Sequence, residues 1–249
     1  MARTTSAITA SQFIEMLKSY QSDIELKKIQ RYFKSGEGEY SAGDKFIGVR
    51  MGTVFALAKQ FMDMPLAQIE KLLDSPIHEA RTGAVSIMDF QARNKKTPES
   101  RRKELYDLYM KRHDRINNWD LVDRSAPFVV GSYLFDKSRT ILYKLARSKD
   151  LWKRRTAIVS TYYFIRKTDT DDTFAVSELL VNDKHDLIHK AVGGGLRWAG
   201  AKHPQKLLQF LDKHAATMPR TMLRYAIEHF SKPQKEHYMN LKQNGKGDN

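Results

Sequence analysis

Cysteine is absent from the 249-residue sequence. Its absence excludes disulfide bonds, thiol catalysis and cysteine-ligated zinc, and it is typical of proteins that work in a reducing cytosol. The sequence also lacks any run of about twenty apolar residues, so we expect no segment to span a membrane. The first residues lead into an amphipathic segment and not into the apolar core of a secretory signal. These absences predict a cytoplasmic protein without a membrane partner.

Acidic residues are scarce relative to basic ones. Lys and Arg number 43 against 29 Asp and Glu, which gives a formal net charge of +14. With 41% hydrophobic and 29% charged residues, the composition is that of a globular protein and not of a disordered one. We expect a globular protein with this charge to adsorb to polyanions, and to nucleic acid before anionic membranes.

Helical patterns run through nearly the whole chain. Apolar residues recur at helical spacing from Phe13 to Phe33, behind Ser11 as the predicted N-cap. Three glycines between Lys34 and Asp44 predict a loop. The only β-like run, Ile158 to Ile165, follows two arginines and belongs to a helical recurrence, so we predict that it is also helical.

Some of the predicted helices repeat. Similar segments start at Arg81, Arg155, Lys190 and Arg224. The last three are about 35 residues apart, and the first two are separated by about twice that distance. A period in the thirties made of two helices is typical of HEAT and armadillo solenoids. The sequence therefore predicts an all-α, right-handed superhelix (solenoid) of HEAT-like helical repeats, with about six helical pairs. We expect residues 1–240 to form one domain and residues 241–249 a flexible polar tail.

A basic residue stands near the start of the second helix in each predicted repeat. These residues are Arg81, Arg124, Arg155, Lys190 and Arg224. Because stacked repeats place equivalent positions on one side, they would form a cationic stripe that follows a phosphate backbone. The alternative is that Lys and Arg are common on any exposed helix face, but the charge excess and the shared register favour the stripe. Further candidate DNA contacts are Arg50, Lys153, Arg154 and Arg197.

The stretch from Asn117 to Pro127 contains the residues with candidate chemistry. Trp119 and Asp123 are four residues apart and would share one face of a helix. An aromatic face beside a carboxylate is a receptor for a cationic group, and Arg124 adds a cation next to them. The alternative is a core tryptophan beside a helix-capping or solvated acid. An acid inside a cationic surface weakens phosphate binding, so Asp123 needs another reason to be there.

The sequence contains no recognisable metal or cofactor motif. The eight His residues include no H-E-x-x-H segment. The glycines from Gly193 to Gly195 follow no predicted strand and lack the Lys-Ser/Thr pair of a phosphate-binding loop. We therefore expect the protein to work without a cofactor.

Six segments together resemble one known family, the AlkD-like alkylpurine DNA glycosylases, which are built from HEAT-like repeats. The segments are Phe46-Ile47-Gly48-Val49-Arg50, His78-Glu79-Ala80-Arg81, Trp119-Asp120-Leu121-Val122-Asp123, Trp152-Lys153-Arg154-Arg155, Ile188-His189-Lys190-Ala191-Val192-Gly193 and Pro219-Arg220-Thr221-Met222-Leu223-Arg224-Tyr225-Ala226. Each segment is a weak signal, but their order and spacing from Tyr32 to Phe230 are specific. The resemblance implies a monomer with a concave groove for double-stranded DNA. It also implies hydrolysis of the N-glycosidic bond of cationic alkylpurines, such as 3-methyladenine and 7-methylguanine.

The resemblance also assigns residues. In the family, the Trp and Asp of the W-x-x-x-D segment are active-site residues, which implies this role for Trp119 and Asp123. The active-site Arg of the W-x-R-R segment falls on Arg155. A cationic alkylpurine is already a good leaving group, so the enzyme must stabilise an oxocarbenium-like sugar and position water on it. A carboxylate can do both, an indole can pack against the sugar and the cation, and an arginine can hold a nearby phosphate.

The chain departs from the family at one active-site position. Gly194 stands where the family has a second active-site Trp, and Trp198 lies four residues on, about 6 Å further along a helix. Trp198 is not expected to replace the missing ring without a movement of the backbone. Trp119 and Asp123 favour a monofunctional alkylpurine glycosylase. Gly194 favours a catalytically silent solenoid that recognises damaged, bent or branched DNA, and a protein-binding repeat scaffold is a third alternative.

Overall fold

The computed structural model describes residues 8–36 and 38–241, and the regular elements in these ranges are helices. The α-helices are α1 (Ala10–Lys18), α2 (Asp23–Phe33), α3 (Met51–Gln60), α4 (Leu66–Leu73), α5 (His78–Arg93), α6 (Glu99–Lys111), α7 (Trp119–Ser125), α8 (Ser132–Leu134), α9 (Thr140–Ala146), α10 (Leu151–Arg166), α11 (Asp171–Leu180), α12 (Asp186–Lys202), α13 (Pro204–His214), α14 (Arg220–Ala226) and α15 (Lys232–Asn240). The predicted all-α fold is confirmed, and the β-like run from Ile158 to Ile165 lies inside α10. None of the helices in the described ranges is both long and apolar enough to cross a membrane.

The chain divides into two compact units. The first ends at Tyr133 and the second begins at Leu134. That residues 1–240 act as one domain stays a prediction, as does the HEAT-like character of the repeats. The predicted flexible tail, apart from Leu241, lies outside the described residues.

The first helix shows where sequence reasoning misplaced a cap. Thr9, and not Ser11, is the N-cap of α1, so the predicted cap was wrong. The Thr9 hydroxyl accepts the Gln12 N–H at 3.2 Å, and the Gln12 amide oxygen accepts the Thr9 N–H at 2.9 Å. Two reciprocal bonds satisfy two otherwise unpaired N–H groups, which an isolated Ser11 cap would not do.

The core of the first unit is built around α5, which is buried along almost its whole length. A glycine in this helix, Gly83, allows the ring of Phe13 on α1 to approach. A Cβ atom at Gly83 would lie 2.3 Å from the Phe13 ring, which is itself fully buried and packs edge-on against Phe61. Close packing of this kind leaves no room for an added methyl group.

Glu79, at the start of α5, holds the loop that precedes α3. Its Oε1 atom accepts the backbone N–H groups of Ile47, Gly48 and Val49 at 3.0, 2.9 and 3.3 Å. Gly48 has a φ of +81°, and a Cβ atom there would lie 2.1 Å from the Ser22 carbonyl oxygen. The position therefore requires glycine. These contacts hold the loop before α3 against α5. They also place the N-terminus of α2 next to that loop.

The second unit is organised around α10 and α12. The three consecutive glycines lie inside α12, which continues without interruption. A Cβ atom at Gly193 would lie 2.5 Å from the Tyr225 Cβ and 2.6 Å from the Met222 carbonyl oxygen. Gly193 therefore lets α12 and α14 approach backbone to backbone.

Candidate active site

The start of α7 is fixed by a buried asparagine. The Asn118 side-chain oxygen accepts the Trp119 N–H at 2.8 Å. Its amide nitrogen donates to the Ser41 hydroxyl at 2.6 Å and to Asp44 Oδ2 at 2.8 Å. Because Asn118 is fully buried, these bonds anchor the first turn of α7 to the loop before α3 and position Trp119.

A cavity of about 580 Å³ opens in the first unit beside α7. It is lined by Lys28, Ile29, Tyr32, Phe33, Met51, Phe55, Thr82, Arg93, Trp119, Asp120, Asp123 and Arg124. The structure therefore brings three predicted site residues together, namely Trp119, Asp123 and Arg124. Trp119 is half-buried and Asp123 is exposed, one helical turn away on α7.

Aromatic rings form one wall of the cavity. The Trp119 indole stacks on Phe33, with ring centres 5.4 Å apart and planes 19° apart, and meets the edge of Tyr32 at 5.9 Å. Phe33 is buried, whereas Tyr32 is 67% exposed. In the sequence, Tyr32 and Phe33 stand out only as part of a helical pattern. The signal that could have found them is the adjacent Tyr-Phe pair at the end of α2, directly before a glycine-rich loop.

Asp120, three residues before Asp123, belongs to a buried ionic network. His78 Nε2 lies 2.9 Å from Asp120 Oδ2, and His78 Nδ1 lies 3.5 Å from Asp44 Oδ2. Burial alone would lower the pKa of His78, but the Asp120 and Asp44 carboxylates outweigh it and raise the pKa to about 9. The Thr82 hydroxyl donates a further bond to Asp120 at 3.3 Å. Histidine and threonine thus hold Asp120 in place, whereas Asp123 stands at the opening.

The two acids on α7 can therefore play different roles. The Asp120 side chain is 11% exposed and bonded to a cationic imidazole, so its charge is already compensated. Asp123 lies in a more exposed position and lines the cavity next to Trp119. Differences in surroundings of this kind assign different functions to neighbouring carboxylates.

The predicted DNA contacts of the first unit lie in three environments. Arg50 is 71% exposed and pairs with Glu25 at 2.8 Å. Arg81 is only 4% exposed and bonds to Asp44, because it lies near the start of the buried α5. Arg124 is 19% exposed and donates from Nε to the Ser86 hydroxyl at 3.1 Å.

Two predicted basic residues of the second unit bond to other groups of the protein. Arg155, the candidate active-site arginine, is buried and donates to the Leu187 carbonyl. Arg154 bonds from Nε to Asp183 at 2.6 Å and from Nη1 to the carbonyl of Lys149 at 2.8 Å. The neighbouring Lys153 is half-buried.

Three other predicted basic residues of the second unit line one groove between α12 and α14, with a volume of about 770 Å³. Lys190 pairs with Asp186 at 2.6 Å, and Arg197 pairs with Glu228. Arg224 is exposed. The structure thus groups Lys190, Arg197 and Arg224, and their contact with DNA stays a prediction.

The position of the family's second tryptophan is open. A Cβ atom at Gly194 would meet only the Tyr162 hydroxyl, at 3.6 Å, within the described residues. That hydroxyl donates to the Ala191 carbonyl at 2.6 Å. Trp198 is 48% exposed and meets the Tyr162 ring edge-on at 5.0 Å. The Cβ atom of a larger side chain at Gly194 would therefore make an ordinary contact with Tyr162.

Comparison with known proteins gives a consistent result. A family model described as "DNA alkylation repair enzyme" matches residues 13–230. The fold is similar to that of a solved structure described as a predicted DNA alkylation repair enzyme from Enterococcus faecalis, with a TM-score of 0.68. The two sequences are 20% identical, and the match covers 85% of this chain and 97% of that one. Among curated proteins, none matches the chain.

Proposed function

Because the chain belongs to the DNA alkylation repair enzyme family, we propose that it hydrolyses the N-glycosidic bond of cationic alkylpurines, such as 3-methyladenine and 7-methylguanine, in duplex DNA. The observation that carries this proposal is the exposed carboxylate of Asp123 beside the Trp119 indole at one cavity. An anion next to an aromatic face suits a cationic group. Because a protein with a net charge of +14 binds polyanions, we infer that this cationic group is a damaged base within a DNA strand.

The chemistry requires little of the protein. A purine alkylated at N3 or N7 carries a positive charge, so its bond to the sugar breaks with the electron pair leaving on a neutral base. The sugar is left with oxocarbenium character, and water adds to it. Asp123 would stabilise that positive charge and take the proton that the water loses. One exposed carboxylate can therefore perform both of these functions.

Trp119 would provide a rigid surface for the damaged nucleotide. Its stacking on the buried Phe33 restricts the indole, so that little conformational entropy is lost when a ligand packs against it. The electron-rich face or edge of the ring would contact the deoxyribose and the cationic base. The exposed Tyr32 would widen this surface.

The basic residues divide by how much of each is available to phosphate. The exposed Arg50, Lys190 and Arg224 and the half-buried Lys153 would make the phosphate contacts that give affinity. The side chains of Arg81, Arg154 and Arg197 are no more than 20% exposed, so such contacts would require these side chains to move. Arg155 remains the proposed active-site arginine on the family motif alone, because its side chain is buried and donates to the Leu187 carbonyl.

Gly194 favours a second candidate function, a DNA-binding protein without glycosylase activity. The two candidates differ in base release from methylated duplex DNA by the wild type and by Gly194→Trp. We expect release by the wild type and an equal or higher rate for the variant, because a Cβ atom at this position makes only an ordinary contact, with the Tyr162 hydroxyl, among the described residues. Release by the variant alone would identify a silent protein, and release by neither would contradict the glycosylase.

A further inference from the structure

The cavity lining also includes two arginines that are paired with a buried carboxylate, which the proposed chemistry does not use. Asp89 lies in α5 and is fully buried. Arg93 Nε lies 2.8 Å from its carboxylate oxygens, and Arg124 Nη2 lies 3.3 Å from Oδ2. One carboxylate thus faces two guanidinium groups, which leaves the trio with one net positive charge.

Aromatic rings fix both guanidinium groups. Arg93 Cζ lies 3.7 Å above the centre of the Phe128 ring. Arg124 Cζ lies 4.6 and 4.8 Å from the ring centres of Phe55 and Phe90. A planar guanidinium held by an ion pair and a ring keeps a defined orientation, which a lysine would not.

The ring under Arg93 is positioned by an unusual backbone segment. Phe128 belongs to a π-helical segment, Ala126–Gly131, that follows α7 directly. A π-helical turn is rare and shifts the side-chain register, and such turns are frequent at functional sites. Here the shift brings Phe128 under a cation next to the helix that carries Asp123.

Donor groups remain available on these arginines. Arg93 uses only Nε in its pair with Asp89, and neither of its Nη atoms bonds to the residues that the structure describes. Its side chain is 41% exposed and lines the cavity. Within the same residues, Nη1 of Arg124 also has no partner. Paired guanidinium groups with outward N–H donors are suited to phosphate oxygens.

The cavity lining therefore carries charges of both signs. Arg93 and Arg124 contribute positive charges, and Trp119 and Asp123 contribute an aromatic ring and a negative charge. A nucleotide with an alkylated purine has the matching charges, since its base is cationic and its phosphate is anionic. A free cationic base would use only Trp119 and Asp123.

We propose that Arg93 and Arg124, oriented by Asp89, form a binding site for the DNA backbone phosphate next to the damaged nucleotide. This proposal rests on the proposed function, because it takes the cavity as the place of the damaged nucleotide. It adds Arg93 as a phosphate-binding residue and Asp89 as a positioning residue.

The test is a binding measurement on duplexes with one neutral phosphate. Each duplex contains a tetrahydrofuran abasic-site analogue, and a series places one methylphosphonate at each of the three phosphates on either side. We expect one position at which the wild type loses about tenfold in affinity. Arg93→Gln should lose part of this affinity on the unmodified duplex and be less sensitive to that same methylphosphonate, because the neutral phosphate removes the interaction with Arg93 that the variant already lacks, while Arg124 still contacts the unmodified phosphate.

Matched variants separate this site from a general effect of charge. Lys96→Gln removes one positive charge from a different cavity of the same unit and should keep the wild-type sensitivity at every position. Asp89→Asn should reduce the sensitivity at the same position as Arg93→Gln. Arg93→Lys keeps the positive charge but lacks the planar guanidinium, so it should retain part of the sensitivity to the methylphosphonate. Melting temperatures identify any variant that fails to fold.

The outcomes distinguish this proposal from the glycosylase. If no methylphosphonate position is coupled to Arg93, the phosphate site is wrong, whether or not the protein releases bases. If one position is coupled and no base is released, the phosphate site stands and the glycosylase fails.

Discussion

At the scale of single residues, His78 is the centre of an ionic network that should make stability depend on pH. Burial opposes its charge, but Asp120 and Asp44 raise its pKa to about 9, from an ordinary value of 6.5. Because the folded pKa lies above the unfolded one, the stabilisation is complete below about pH 6.5 and is lost as the pH rises through 9. The shift corresponds to about 3 kcal/mol.

Urea unfolding between pH 6 and pH 10 tests this prediction. His78→Gln should lower the free energy of unfolding at pH 6 and remove most of the decrease toward high pH. His229→Gln, which changes an exposed histidine, should behave like the wild type. A His78→Gln protein with the same pH slope as the wild type would show that the imidazole is not charged in the fold.

The polar residues of one segment show what sequence reasoning can recover. The segment His78-Glu79-Ala80-Arg81 could be recognised as a family motif from the sequence, but the residues that its side chains contact could not. His78 reaches Asp44 and Asp120, Glu79 binds backbone N–H groups from Ile47 to Val49, and Arg81 bonds to Asp44. These partners are about 30 to 40 residues away in sequence, and local patterns do not specify such pairs. The one-turn spacing of Trp119 and Asp123, in contrast, depended only on helix geometry.

At the scale of elements, α12 contains two adjacent glycines with different roles. Gly193→Ala should destabilise the protein by about 1 to 3 kcal/mol, because its Cβ would overlap the backbone of α14. Gly194→Ala should be neutral or stabilise by up to about 1 kcal/mol, because its Cβ meets only a hydroxyl at 3.6 Å. Thermal melting of the two variants compares them within one helix. Equal changes would contradict the close approach of α12 and α14.

The cap of α7 gives a second prediction at this scale. Asn118→Ala removes the cap of Trp119 and two further bonds in a buried place, so it should cost about 2 kcal/mol or more. Asp150→Ala removes an exposed cap of α10 and should cost about 1 kcal/mol. Denaturant unfolding measures both. A smaller effect for Asn118→Ala would mean that the start of α7 does not depend on this anchor.

Elements were more predictable than the directions of their side chains. The helices followed from apolar periodicity, and even the β-like run in α10 was assigned correctly from its repeat context. The repeat register placed Arg81 and Arg155 near helix starts, but it did not indicate that both side chains are buried. Burial depends on which neighbouring helix covers a position, and that is set by tertiary packing.

At the scale of the whole molecule, the charge of +14 should make DNA binding strongly dependent on salt. Reversal of Lys190 and Arg224 together should weaken duplex binding by orders of magnitude at low salt. It should also flatten the salt slope by about one unit for each phosphate that is no longer neutralised. Reversal of Lys206 and Lys213 changes the net charge equally, but these residues lie on α13 and do not line that groove. If both double variants bind alike in a salt titration, the groove between α12 and α14 is not a DNA surface.

The central claim is that Asp123 is the catalytic carboxylate. The most direct test is the release of 7-methylguanine and 3-methyladenine from methylated duplex DNA by the wild type, Asp123→Asn and Asp114→Asn, the last of which neutralises another exposed acid of the first unit. We expect Asp123→Asn to lose at least about 100-fold in release but to bind duplex DNA equally or slightly more tightly, because a charge that repels phosphate has gone. Asp114→Asn should release bases like the wild type. Release by Asp123→Asn at the wild-type rate would contradict this role, because asparagine keeps the size of aspartate but cannot stabilise an oxocarbenium ion by charge.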